Sequence, residues 1–124
     1  MEKKPFGYSL NLKLRTDRIF YGPGVVQLMQ KIAKNGSLNT AAKEMGMSYN
    51  KAWRILKRAE EEVGYPLAIK NVGGARGGGS TLTDEGKELM RKYLAFQKEV
   101  YEVADKYFYE IFKEDNIKDR SGGK

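Results

Sequence analysis

Residues 36–64 read "GSLNTAAKEMGMSYNKAWRILKRAEEEVG", and the fold turns on how this stretch divides. Ser37 is a good helix N-cap, and Leu38, Ala41, Ala42 and Met45 then fall on one helical face. Gly46 stops that short helix. After only Met47, Ser48 offers a second N-cap, and Ala52, Ile55, Leu56, Ala59 and Val63 recur at helical spacing until Gly64. The pattern is helix, tight glycine turn, helix.

The second of these helices is electrically lopsided. Lys51, Arg54, Lys57 and Arg58 occupy its leading part with no acidic residue, and Glu60, Glu61 and Glu62 follow at once. The helix dipole favours the opposite placement, so it does not explain this one. In a helix-turn-helix the second helix enters the major groove with its N-terminal residues at base edges. Ser48, Tyr49, Asn50, Lys51 and Arg54 are presented there, Lys57 and Arg58 extend the basic face, and Ser37 joins them from the supporting helix. Asn reads adenine with two hydrogen bonds, and Lys or Arg reads guanine. A plain solvated face is the bland alternative. Trp53 is read as a packing residue, and Tyr49 as a phosphate contact through its hydroxyl.

Upstream, Tyr8 to Arg15 alternates apolar and polar residues, the period of a half-buried strand. "YGPG" at 21–24 ends it, Pro23 suits the first position of a helix, and Val25, Leu28, Met29 and Ile32 form that helix's inward stripe. Downstream, "PLAIKNVGG" and "STLT" read as two short strands of a hairpin around a tip in which five of the seven residues from Gly73 to Gly79 are glycine. Thr83 then caps a helix running to about Phe112, about 43 Å at 1.5 Å per residue.

Three readings compete for the glycine tip. Gly73, Gly78 and Ser80 sit where a phosphate-binding P-loop needs them, but Gly79 replaces its lysine. A linker is the second reading. The third is a hairpin tip lying along DNA, where the bare backbone of Gly77 and Gly78 approaches phosphates and Arg76 enters the minor groove or pairs with a phosphate. This last reading is preferred, because binding supplies the order that such a loop lacks.

The bulk numbers agree with a polyanionic partner. The 124 residues carry a formal charge of +7. Residues 1–80 hold 14 Lys and Arg against 6 Asp and Glu, while residues 81–124 hold 9 against 10, so the basic surface belongs to the first two-thirds. There is no histidine and no cysteine, which excludes disulfides, imidazole or thiolate metal sites, and nucleophiles built on either residue. No catalytic residue, metal or cofactor is expected. No apolar run approaches a membrane span, and "MEKKPFGYSL" lacks the core of a secretory signal. No membrane partner and a cytoplasmic location are the expectations.

"GSLNTAAKEMGMSYNKAW" at 36–53 followed by "GGARGGGSTLTDEG" at 73–86 resembles the N-terminal winged-helix domain of the ModE-type, molybdate-responsive transcription regulators, relatives of the LysR-type DNA-binding domain. The resemblance covers roughly residues 8–112. It implies that Ser37 to Met45 is the supporting helix, Ser48 to Val63 the recognition helix and Gly73 to Ser80 the wing. Ser48, Tyr49, Ala52 and Trp53 are the residues that mark the recognition helix in that family. Members with a sensor carry oxyanion-binding domains after the long helix, and this sequence ends about ten residues beyond it, so no molybdate site is expected here.

The long helix carries two adjacent apolar stripes at heptad-like spacing. One is Leu89, Tyr93, Phe96, Val100, Val103 and Tyr107. The other is Met90, Leu94, Gln97, Tyr101, Ala104, Phe108 and Ile111. One stripe can cover the chain's own core, and the other calls for a second copy. The expected fold is thus α+β, mainly α: a winged-helix DNA-binding domain over 1–83, a dimerisation helix over 84–112 and a disordered tail over 113–124. The expected function is a homodimeric, sequence-specific regulator on double-stranded DNA. An architectural protein gripping DNA mainly through phosphates is the alternative, and a nucleotide-binding enzyme built on the glycine loop is a third reading.

Overall fold

The computed structural model describes residues 4–71 and 79–118. Its elements, in chain order, are β1 (Leu14–Arg15), β2 (Ile19–Tyr21), α1 (Pro23–Asn35), α2 (Leu38–Glu44), α3 (Tyr49–Val63), β3 (Ala68–Lys70), β4 (Ser80–Leu82) and α4 (Asp84–Phe112). The two small sheets are antiparallel hairpins, β1 with β2 and β3 with β4. This is the mainly helical α+β architecture of a winged helix with a long final helix.

Two compact units divide the chain, one formed by residues 12–92 and the other by residues up to 11 together with 93 onward. Residues 84–92 of α4 belong to the first. Its core is built largely where the apolar spacing placed it: Leu28, Met29 and Ile32 of α1, Leu38, Ala41 and Ala42 of α2, and Ala52, Leu56 and Ala59 of α3 are buried, while Met45, Ile55 and Val63 are half-buried. Val26 is buried in α1, whereas Val25 is only half-buried. Each fully buried Leu, Ile or Met side chain contributes roughly 1.5–3 kcal/mol. The helices therefore carry the unit, since a two-stranded hairpin alone is marginal in water.

Caps set the helix boundaries. The Ser37 hydroxyl accepts from the Thr40 amide at 3.1 Å, and the Ser48 hydroxyl from the Lys51 amide at 3.1 Å. Between them Gly46 adopts φ 70, a left-handed conformation that a β-carbon opposes, and this lets the chain leave α2 and start α3 within four residues.

The wing is tied down at its base. Ala68 pairs with Leu82, Ile69 with Thr81 and Lys70 with Ser80. Asn71 donates its amide to the Gly79 carbonyl at 2.7 Å, and the Ser80 amide donates to the Gly36 carbonyl at 2.9 Å. The sequence-expected tip residues Arg76, Gly77 and Gly78 lie outside the described residues.

Leu67 is the corner where three elements meet. Its amide donates to Glu60 Oε2 of α3 at 2.8 Å, and its carbonyl accepts from the Thr83 amide at 2.9 Å. Thr83 caps α4 as the sequence implies, accepting from the Gly86 amide at 2.9 Å while donating to the Pro66 carbonyl at 2.7 Å. Gly86 presses so closely on this corner that a β-carbon there would stand 2.4 Å from the Leu67 carbonyl oxygen.

The expected strand over Tyr8–Arg15 shrinks to Leu14–Arg15, and the reason is visible in the second unit. The Tyr101 phenol accepts from the Leu10 amide and donates to the Leu10 carbonyl, both at 3.2 Å. A side chain of α4 thus takes the place of a neighbouring strand. Tyr8 bonds to Asp105, and the Phe6 ring packs edge-on against Phe108 and Phe112. Beyond α4, Asn116 and Lys118 of the span expected to be disordered bond to this segment, the Phe6 amide donating to the Asn116 carbonyl at 3.0 Å and the Lys118 amide to the Phe6 carbonyl at 2.7 Å, while residues 119–124 lie outside the described residues. No described helix is long and apolar enough to cross a membrane.

Candidate nucleic-acid interface

The leading half of α3 offers its polar side chains to solvent. Tyr49, Asn50, Lys51, Arg54, Lys57 and Arg58 are all exposed, while Ala52, Leu56 and Ala59 hold the opposite face in the core. Among the described residues no carboxylate pairs with Lys51, Arg54 or Arg58; the ion pairs are Arg18–Glu62, Lys31–Glu44, Lys57–Glu60 and Arg91–Glu88. Three adjacent cations left without an internal counter-charge form an anion-attracting surface.

The trailing half of α3 behaves otherwise. Glu60 accepts from the Leu67 and Ala68 amides at 2.8 and 3.3 Å, fixing the entry to β3. Glu62 bonds to Thr16 and pairs with Arg18 at 3.5 Å, fixing the β1–β2 hairpin. The sequence shows only that acidic residues follow basic ones. Their partners lie in the β1–β2 turn and at the start of β3, some far away in the chain, and no local signal announces them.

Ser37 and Ser48 use their hydroxyl oxygens as caps, so their first role is to aim α2 and α3. Trp53, expected to pack in the core, is only half-buried. Its indole N–H donates to the Tyr49 hydroxyl at 2.6 Å, with the two rings edge-on at 6.4 Å. The Lys70 ammonium of β3 lies 5.0 Å from the Trp53 ring centre and 5.6 Å from that of Tyr49, and the Lys57 ammonium lies 5.2 Å from the Trp53 ring. Trp53, Lys57 and Lys70 line a shallow cleft of about 490 Å³ between α3 and the wing. The Trp53 indole N–H, and after it the Lys70 ammonium, hold the Tyr49 phenol below its ordinary pKa against the opposing effect of burial. Sequence reasoning missed Lys70, whose only signal was a lysine in a short wing strand.

The sequence-expected dimerisation residues separate. Tyr93 is 1% exposed and is thus already covered within the single chain; burial pushes its phenol pKa up. Phe96, Val103 and Tyr107 are 50%, 56% and 53% exposed. Leu89 and Val100 are half-buried. The second stripe is better covered except at its end, Met90, Leu94, Gln97, Tyr101, Ala104 and Phe108 being half-buried and Ile111 70% exposed.

Known proteins resemble this chain in sequence. Residues 25–87 match the family described as bacterial regulatory helix-turn-helix protein, lysR family. A transcriptional regulator ModE from Haemophilus influenzae is 31% identical over 108 residues, covering 87% of this chain and 40% of its own. A molybdenum transport protein ModE from Azotobacter vinelandii is 33% identical over 81 residues, 65% of this chain and 30% of its own. A DNA-binding transcriptional dual regulator ModE from Escherichia coli is 34% identical over 84 residues, 68% of this chain and 32% of its own. The chain thus spans 30–40% of the length of these relatives. The matched residues contain the turn at Gly46, the recognition-type helix α3, the wing strands and the Leu67 corner. On that ground the chain belongs to the lysR family of bacterial regulatory helix-turn-helix proteins and carries a DNA-binding domain of the ModE type.

Proposed function

We propose that this chain acts as a two-fold dimer that recognises a specific sequence in double-stranded DNA, with α3 in the major groove and the wing against the backbone or minor groove. The observation that carries the reading is the exposed set Asn50, Lys51, Arg54 and Arg58 on the leading half of a capped helix, without a carboxylate partner among the described residues. Asn50 and Arg54 have the chemistry for adenine and guanine edges, and Lys51 and Arg58 for phosphates. Arg76 with Gly77 and Gly78 is assigned to the backbone or minor groove.

The dimer rests on Phe96, Val100, Val103 and Tyr107, which step by four, three and four along α4. Three of them leave about half of their surface in water. That spacing is the seam of a helix pair, and a second copy of the same helix is its natural cover. Tyr93 leaves the set proposed from sequence. Two copies would place their recognition helices about one DNA turn apart, roughly 34–36 Å, on an inverted repeat. The reading places DNA, and not molybdate, on residues 12–92.

Selection of bound fragments from a pool of random duplexes tests this. The expected product is an inverted repeat with half-sites one helical turn apart. Recovery of a single unrepeated half-site would remove the dimer, and a pool that never converges would leave an architectural binder.

A further inference from the structure

We propose that Tyr49, Trp53 and Lys70 form a clamp for one DNA phosphate, in which the wing strand β3 and the helix α3 grip the same phosphodiester from two sides. This rests on the duplex-binding reading above and adds two residues to it: Lys70 as a direct contact and Trp53 as a positioning residue.

The geometry supplies each part. Trp53 donates its indole N–H to the Tyr49 hydroxyl oxygen at 2.6 Å. A phenol has one O–H donor, and with its oxygen engaged as acceptor, that proton is directed away from the indole. A phosphate oxygen accepts and does not donate, so the pair presents the polarity a phosphate needs. Lys70 brings the charge. Its ammonium stands beside both rings at 5.0 and 5.6 Å, and among the described residues no carboxylate pairs with it, whereas Lys57 on the same indole is held by Glu60 at 3.4 Å. The rings restrain a long flexible cation, which lowers the entropy lost on binding. The depressed phenol pKa agrees, since a more acidic hydroxyl is a stronger donor.

The open cleft lined by Trp53, Lys57 and Lys70 lies between the element assigned to the groove and the element assigned to the backbone, and its mouth admits a phosphodiester. A phosphate seated there fixes the angle between wing and helix on the duplex, which is the register-setting role of backbone contacts.

The test uses the full chain and the duplex that the wild-type protein recovers from a random pool. A series of that duplex carries one neutral methylphosphonate at each position in turn. Lys70→Gln is expected to weaken binding about tenfold, as for loss of a charged hydrogen bond. The salt slope should fall by about one unit per clamp. One methylphosphonate per half-site should weaken the wild type and leave Lys70→Gln unaffected. Tyr49→Phe and Trp53→Phe should each weaken binding about fivefold, and the double variant no further, since the indole acts through the phenol. Trp53 is the chain's single tryptophan, so its emission should respond to the duplex in wild type and change little in Lys70→Gln. If Arg54→Ala weakens binding while Lys70→Gln and Tyr49→Phe bind as wild type, the clamp is overturned and duplex recognition stands. If Lys70→Gln retains the wild-type sensitivity at every phosphate, the clamp is likewise overturned. Failure of the wild type to bind any duplex overturns both.

Discussion

The two halves of α3 differ in both exposure and employment: the polar side chains of the leading half stand in solvent, while Glu60 and Glu62 of the trailing half are largely covered. In the trailing half, Glu60 and Glu62 are tied to the backbone of Leu67 and Ala68 and to Thr16 and Arg18. In the leading half, Lys51, Arg54 and Arg58 have no carboxylate partner among the described residues, and Asn50 faces solvent. On the proposed function, one helix does two jobs, with folding at one end and recognition at the other. Charge alone does not assign a residue to function; what it is already bonded to does.

If this division is right, damage at the trailing end should appear as lost stability and damage at the leading end as lost affinity. The largest effect belongs to the Leu67 corner. Gly86→Ala puts a β-carbon 2.4 Å from a backbone carbonyl oxygen that cannot swing aside, so unfolding stability should fall by about 3 kcal/mol in a denaturant titration. Glu60→Ala follows. It leaves the Leu67 amide without its partner and should lower stability by about 2 kcal/mol, while the folded fraction keeps its affinity for duplex. Arg54→Ala should show the reverse: unchanged melting, a loss of about 1–3 kcal/mol on the selected duplex, and relaxed base choice at one position. An Arg54→Ala that melts early, or a Glu60→Ala that binds poorly when folded, would break the division.

The smallest effect is a pH dependence between α1 and α2. The Lys31 ammonium, bonded at 3.1 Å, holds the Glu44 carboxyl below its ordinary pKa. A lowered folded-state pKa contributes stability that is present above the unfolded value and lost as pH falls through the folded one. Thermal midpoints of Glu44→Gln and wild type should therefore differ slightly at neutral pH and converge in acid. The pair is exposed and screened, so a large gap would be unexpected.

The same contrast explains what was legible in the sequence. Local signals read well. Ser37 and Ser48 cap their helices, Gly46 turns the chain, Thr83 caps α4, and α4 ends at Phe112, because each depends on neighbours within four residues. Long-range bonds read badly. The alternation from Tyr8 to Arg15 promises a strand, but Tyr101, 91 residues from Leu10, satisfies that backbone instead. Tyr93 fits the stripe with Phe96 and Val100, yet only the folded chain shows it buried. Trp53 counted as core on composition; Tyr49 is one helical turn away, as the spacing shows, but the place of Trp53 beside Lys70 depends on how the wing folds back. The basic face of α3 was visible in the sequence; that Lys51, Arg54 and Arg58 lack carboxylate partners among the described residues, while Lys57 has Glu60, was not.

The most direct test of this division is an equilibrium titration of the folded protein, at one fixed salt concentration, with the duplex it selects and with a scrambled duplex of equal length and composition. Side chains of α3 held ready for base edges should favour the selected duplex by about a thousandfold or more. Equal affinity for the two duplexes would contradict the claim that the leading half of α3 reads bases.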